Sequence, residues 1–257
     1  MWRLLLFKGG YMILIELSEY LQDEQAAENY LYEKGILKRF TECPYCKSDK
    51  IGYISRSRVK CYKCKKEWHK RKASFLEGKQ ISFSKFIAFL KLYSDEMGIN
   101  QITTELALNK KTAIFLVKEI RKNTITDFMD NDTDKFRSAF LLEKDGKVHL
   151  SFDSRTDNKT ICIINFERYK EQGNLYSFMI KSTSTINGRH KMSLVDRFLS
   201  FAKMKLISYR GIKIDFLKEY LIELVIKFNL KDQDYFNHLL KMLCFQRVVN
   251  FTPSSRK

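Results

Sequence analysis

Apolar residues recur along this chain at two periods, and the change of period divides it. Over residues 22–36, Ala26, Tyr30 and Leu31 stand at helical spacing and Gly35 stops the run, which predicts an acidic helix. Ile51–Ile54 and Val59–Tyr62 are short β-branched and aromatic runs and predict two strands. Phe86, Leu90, Tyr93 and Met97 fall at i, i+4, i+7 and i+11, a helix with one buried face that Gly98 ends. From Asn100 the spacing tightens. Ile102 and Leu106 predict a short helix, Leu108-Asn109 a turn, and Ala113, Leu116, Val117 and Ile120 a third helix. Two short helices behind a longer one predict a helix-turn-helix, although any three-helix bundle carries the same apolar spacing. Asn109 suits the N-cap of the last helix, setting Lys110, Lys111 and Thr112 in the exposed first turn of a recognition helix.

Residues 123–138 mix Asp127, Asp130, Asp132 and Asp134 with few apolar positions. The run lacks the glycine and final glutamate of a calcium loop and reads as a solvated linker. Beyond it Val148–Phe152, Thr160–Phe166 and Leu175–Ile180 are rich in β-branched and aromatic residues, predicting an antiparallel meander. Leu194–Leu206, Phe216–Phe228 and Tyr235–Cys244 then carry helical apolar stripes. The pattern predicts an α+β protein with an N-terminal helical segment (1–40), a small cysteine-bearing domain (41–75), a helix-turn-helix (80–123), a linker (124–140) and a sheet-and-helix domain (141–250).

The 257 residues are 44% hydrophobic, enough for folded cores, and carry a net charge of +17. That charge is uneven. Residues 36–125 hold 21 basic against 8 acidic side chains, whereas residues 1–35 are net acidic. A local excess of this kind favours polyanionic partners, with nucleic acid foremost. Met1–Ile15 is apolar but broken by Lys8-Gly9-Gly10, leaving runs short of the ~20 residues a membrane span needs, and no small-residue cleavage site follows. Met12 is an alternative start. The expectation is an intracellular protein, in the nucleus of a eukaryote or the cytoplasm of a bacterium, with no membrane partner.

Cys43-Pro44-Tyr45-Cys46 and Cys61-Tyr62-Lys63-Cys64 supply the candidate chemistry. Two C-x2-C turns deliver four thiolates to one tetrahedral Zn²⁺ and leave no open position, so the metal is structural. Paired disulfides are the competing reading, but they belong to shorter, cysteine-dense secreted chains. Cys162 and Cys244 sit in apolar runs and read as buried thiols. Lys60, Lys63, Lys65, Lys66, Lys70, Arg71 and Lys72 surround the second turn and are candidate phosphate contacts. His69 is superfluous as a ligand beside four cysteines, and Trp68 and Phe75 are expected to pack against the small domain rather than stack on bases. Glu219 and Glu223 stand at i, i+4 on an apolar helix, a spacing read as salt bridges rather than a metal pair.

Zinc ribbon, helix-turn-helix, β-meander and helices in this order resemble the Merlin-type insertion-sequence DDE transposases and their bacterial relatives. The resemblance spans about residues 15–245. It is most specific from Cys43 to Arg121 and from Val195-Asp196-Arg197-Phe198-Leu199-Ser200-Phe201-Ala202-Lys203 through Tyr209-Arg210-Gly211-Ile212 to Phe228-Asn229. It implies a ribonuclease H-like domain in which three carboxylates hold two Mg²⁺ or Mn²⁺ ions, and a duplex resembling transposon ends as partner. A homodimer is among the assemblies it allows. Asp196 falls on the family's third carboxylate, an aspartate in place of the usual glutamate. Asp153 is the candidate for the first, with Ser151 on that position in the other register. The second has no counterpart. Only 43 positions separate Asp153 from Asp196, residues 158–195 contain no aspartate, and Glu167 and Glu171 fall in a hairpin connection. The intervening strands and helix would need upward of ~60 residues. The resemblance therefore implies a transposase-like DNA-binding protein with a shortened catalytic domain and no strand transfer. Its alternatives are a working metal-dependent transposase using Asp153, Asp196 and an acid such as Glu167, or a zinc-ribbon module associated with transcription or RNA.

Overall fold

The computed structural model describes residues 18–125, 138–151, 162–165, 179–181, 193–208, 214–230 and 235–245. In chain order its elements are α1 (Glu24–Glu33), β1 (Ile51–Ile54), β2 (Arg58–Cys61), β3 (Glu67–His69), α2 (Phe83–Ser94), α3 (Ile99–Glu105) and α4 (Lys110–Ile125). Then follow β4 (Ser138–Lys144), β5 (Lys147–Ser151), β6 (Cys162–Asn165), β7 (Met179–Lys181), α5 (Leu194–Ser208), α6 (Ile214–Leu230) and α7 (Tyr235–Met242). Helices thus combine with two small antiparallel sheets in an α+β protein. The chain divides into two compact units, one running to Thr124 and resuming at Asp234, the other covering Ile125–Gln233.

In the first unit α1, α2 and α4 are each started by a specific acceptor, whereas Gly98 before α3 offers no side-chain cap. Asp23 caps α1, taking the Gln25 amide at 2.8 Å. Ser82 caps α2, and the Glu24 carboxylate on α1 accepts from the Phe83 and Ser84 amides at 2.6 and 3.1 Å and from the Ser84 hydroxyl. That one side chain satisfies donors that the first turn of α2 would otherwise leave bare. Asn109 caps α4 as its sequence position predicts, its Oδ1 accepting from the Lys111 amide at 2.8 Å. Ala107 makes the turn between α3 and α4 at φ 45°, a left-handed conformation costly for any residue but glycine.

The apolar faces meet in one core: Ala27, Tyr30 and Leu31 of α1, Phe86, Phe89 and Leu90 of α2, Ile102 of α3, and Ala113, Leu116, Val117 and Ile120 of α4. Burying each large side chain there stabilises the unit by about 1.5–3 kcal/mol. The same core holds Phe236, Leu239 and Leu240 of α7, with Leu243 just beyond it. This corrects the expectation that residues 141–250 form one domain, since an apolar stripe records that a helix is buried but not against which core. Gly35 fixes the docking. At φ +71° it turns the chain out of α1, its carbonyl accepts the Phe245 amide at 2.8 Å, and a Cβ there would stand 2.9 Å from Cys244 Sγ.

β1, β2 and β3 form a meander with Gly52 opposite Lys60 and Lys60 opposite Glu67. Two of these strands match their predicted spans to within a residue, whereas β3, three residues long, carries no readable alternation. Behind the sheet lies a small second core of Phe40, Val59 and Trp68 together with the cysteines.

In the second unit the strand order is β5-β4-β6-β7, every pair antiparallel. The strands read from sequence are present as β5, β6 and β7, but β4 lies between β5 and β6, so the expected three-strand meander is corrected to a four-strand sheet. Asp145 (φ 51°) and Gly146 (φ 67°) make the two-residue turn between β4 and β5, the conformation that suits a twisted hairpin. Asn229 of α6 clamps the edge strand β5, its amide donating to the Val148 carbonyl at 2.6 Å and accepting the Val148 amide at 2.9 Å.

Candidate metal centre and basic surface

The two cysteine turns have the same backbone plan. Cys43 N donates to Ser48 O at 2.8 Å and Cys61 N to Lys66 O at 2.9 Å. The residue after each second cysteine, Lys47 (φ 58°) and Lys65 (φ 61°), turns left-handed. Both turns aim their thiols at one point. The four sulfurs of Cys43, Cys46, Cys61 and Cys64 lie within 4.8 Å of one another, with Cys43 to Cys64 and Cys46 to Cys61 each at 3.6 Å. A disulfide needs about 2.05 Å, so these are separate thiols. Tetrahedral Zn²⁺ with bonds of about 2.3 Å sets its sulfurs about 3.8 Å apart, and the cluster is compatible with a structural zinc ion on that count.

Amide donors prepare the sulfurs for charge. Tyr45 N reaches Cys43 Sγ and Cys64 N reaches Cys61 Sγ, each at 3.4 Å. The Cys64 amide is the foremost cause holding the Cys61 thiol down to about 7, against burial that would raise it. Burial likewise pushes the Cys43 thiol up, but the Tyr45 and Cys46 amides outweigh it and leave the group lowered. Cys64 goes the other way. The Lys66 amide favours its thiolate, yet burial and three neighbouring sulfurs push it up to about 11. Four thiolates this close need a cation between them to ionise together, which a divalent metal supplies.

The basic residues around the second turn sort into two groups. Lys63, Lys65 and Lys66 are exposed, with no carboxylate partner among the described residues. Lys72 donates to the Tyr45 hydroxyl at 2.7 Å, and the Lys66 and Lys72 ammonium groups stand 4.7 and 4.2 Å from that ring's centre. Lys60 is paired with Glu67 at 3.3 Å. Lys70 and Arg71 are turned inward. Lys70 meets the buried Glu28 at 2.5 Å, and Arg71 donates to the Lys79 carbonyl at 2.7 Å with its guanidinium 4.4 Å from the Phe83 ring centre. Burial lowers Arg71, and Glu24 and Glu28 work against that shift. Beside this cluster the Tyr32 hydroxyl is pushed well above its usual range by burial and by the Glu28 carboxylate. The reason is topological: after β3 the chain passes against α1 and the start of α2, where Glu28 pairs with Lys70 and the Phe83 ring receives Arg71.

On α4, Lys110 and Lys111 are exposed and Thr112 is half-buried. Beside them Ile114 and Phe115 are 38% and 48% exposed, an apolar pair the sequence reading passed over. The signal was present, since neither belongs to the Ala113, Leu116, Val117, Ile120 stripe. Lys79 lies 5.6 Å from the Phe115 ring centre.

His69 is no ligand of the cysteine cluster; its Nδ1 accepts from the Arg71 amide at 3.1 Å, and burial followed by the charges of Arg71, Lys70 and Arg58 lowers its pKa. Trp68 packs edge-on against Phe40 and Tyr45 within the sheet's core. Phe75 is buried beside Phe86 in the helical core, which corrects its assignment to the cysteine domain.

Asp196 lies in the first turn of α5. Its Oδ2 accepts from the Ser193 amide and hydroxyl at 3.2 and 3.0 Å, while Ser193 Oγ accepts from the Asp196 amide at 3.0 Å, a reciprocal capping box. Glu143 of β4 accepts from the Leu194 amide at 3.0 Å, adding a second carboxylate at the positive end of the helix. Asp153, Glu167 and Glu171 lie outside the described residues. Glu223 pairs with Lys227 at 2.8 Å, the expected salt bridge. Among the described residues the cysteine set is the one metal-ligating cluster of three or more groups, and no helix is long and apolar enough to cross a membrane. No protein-family model matches the chain, and no curated protein or solved structure matches it either.

Proposed function

We propose that this chain is a transposase-like DNA-binding protein without strand-transfer activity. A zinc ribbon built on Cys43, Cys46, Cys61 and Cys64 stands ahead of a helix-turn-helix whose last helix, α4, enters the major groove of a duplex. The outward face of α4 carries this reading: Lys110 and Lys111 in its first turn, with no ion pair among the described residues, border exposed Ile114 and Phe115. Lysines of that kind meet phosphates, and an exposed apolar pair on the same face suits thymine methyl groups. Lys63, Lys65, Lys66 and Lys72 extend the basic surface along the ribbon. With six lysines neutralising phosphates, log affinity should fall with log salt at a slope of about −5.

Titration of a duplex at several salt concentrations tests this reading. Lys111→Glu is expected to weaken binding by at least about tenfold and to flatten the slope. Absence of duplex binding at moderate salt would overturn the proposal. The part that denies strand transfer is supported by the local work of Asp196 in capping α5. Supercoiled plasmid incubated with Mg²⁺ or Mn²⁺ checks it, since nicking abolished by Asp196→Ala would restore the nuclease reading. Thiolate zinc sites belong to reducing compartments, which suits the nucleus or cytoplasm.

A further inference from the structure

The face of the cysteine sheet opposite its small core carries an aromatic ring that duplex binding does not use, beside two lysines, Lys63 and Lys65, that belong to the basic surface described above. Gly52, Lys60 and Glu67 form one cross-strand row. The Tyr62 ring lies on the Gly52 backbone, so close that a Cβ there would stand 2.8–3.2 Å from Oη, Cε2 and Cζ. The Tyr62 amide donates to Lys50 O at 2.8 Å, fixing the backbone that carries the ring. Despite that support Tyr62 is 52% exposed. Glu67, the acid of this row, is already engaged by Arg58 and Lys60 at 3.1 and 3.3 Å. Lys63 and Lys65, next along the turn, are exposed and carry no ion pair among the described residues.

We infer that this face binds single-stranded nucleic acid, with Tyr62 as the platform for one unpaired base and Lys63 and Lys65 as contacts to its flanking phosphates. An aromatic ring held at its hydroxyl end against Gly52 and half exposed offers a stacking surface, and lysines beside it track a backbone. A duplex has no free base face to stack, because its bases cover one another and present only their edges in the grooves. The site is therefore selective for unpaired bases without reading their sequence. The inference rests on the cysteine sheet being folded around zinc as proposed above, and it does not depend on α4 reading a duplex.

Zinc-loaded full-length protein is titrated with labelled oligothymidylate, oligouridylate and a duplex. Tyr62→Ala is expected to weaken binding of the single strands by about tenfold, while Tyr62→Phe stays within about twofold of the parent. Duplex affinity should be unchanged in both variants, and Lys111→Glu should show the reverse pattern. Gly52→Ala, which pushes the ring off its support, is a second variant in case Tyr62→Ala releases zinc, and it should also weaken single-strand binding. Single-strand affinity insensitive to Tyr62 and Gly52, or a Tyr62→Ala loss equal for duplex and single strand, overturns the inference. Tyr62-dependent single-strand binding without any duplex binding upholds it and removes the reading of α4 instead. The tighter of the two oligonucleotides identifies DNA or RNA as the natural source.

Discussion

The first unit contains two cores built on different principles. The helical core closes over Leu31, Phe86, Phe89, Leu90, Leu116 and Leu239, all essentially inaccessible to solvent. Behind the cysteine sheet the buried apolar side chains beside the thiols are Phe40, Val59 and Trp68, with Ile51 partly buried against them. Three apolar side chains at about 1.5–3 kcal/mol each cannot offset the ordering entropy of some thirty residues at about 1–2 kcal/mol apiece. The helices hold themselves together by burial, whereas the sheet has little to bury and instead gathers four thiols in an arrangement compatible with a structural metal. A large region can therefore reach a fixed shape by area, and a small one by coordination.

Removing the metal breaks this comparison most severely. Chelation, or Cys61→Ser, is expected to withdraw about 10 kcal/mol or more from the sheet. Trp68 emission should shift to the red while far-UV dichroism keeps its helical intensity; loss of both together would show that the cores are one. Phe86→Ala probes the other side. It should cost about 3–5 kcal/mol in urea unfolding, with the metal-thiolate absorption of a Co²⁺-loaded sample preserved under native conditions.

A smaller effect comes from the cap that α1 places on α2. Glu24 lies below its usual 4.5 because the Ser84 hydroxyl and the Phe83 and Ser84 amides, with Arg71 nearby, outweigh the desolvation that would raise it. A lowered carboxylate contributes stability above its ordinary value and loses it as the pH falls through the folded one. Glu24→Gln should therefore cost about 1 kcal/mol at neutral pH and flatten the acid limb of the stability curve below about pH 4.5. The smallest expected change is a gain. Lys47→Gly and Lys65→Gly relieve left-handed strain at equivalent places in the two cysteine turns, and each should stabilise the metal-bound sheet by about 1 kcal/mol in thermal melts.

What the sequence disclosed depended on whether the information was local. Cysteine spacing, the Asn109 cap and the stripes of α2, α4, α5 and α6 are set by neighbours within a few residues, and each is found where its pattern indicates. β4 was hidden by the acidic stretch before it, although Asp145-Gly146 after Leu141-Leu142 was a hairpin signal. Lys70 and Arg71 look like surface cations in any local window. Only the packing of α1 and α2 shows that Glu28 and the Phe83 ring take them. Charge counts predict a basic region, and tertiary contacts decide which of its members face outward.

The membership of α7 in the helical core bears on how this protein is made. Phe236 and Leu239 leave the ribosome only after the whole of residues 125–233 has been translated, long after their partners Leu31 and Phe86 have emerged. The nascent first unit must wait with one side of its core uncovered, a state prone to non-native association. A chain terminated before Tyr235 would keep the four clustered cysteines and every lysine of α4, yet it would leave the Leu31 and Phe86 cluster open to water. The second unit is thus an insertion between two parts of the first, and the core beneath α4 is completed by a helix synthesised only after that insertion.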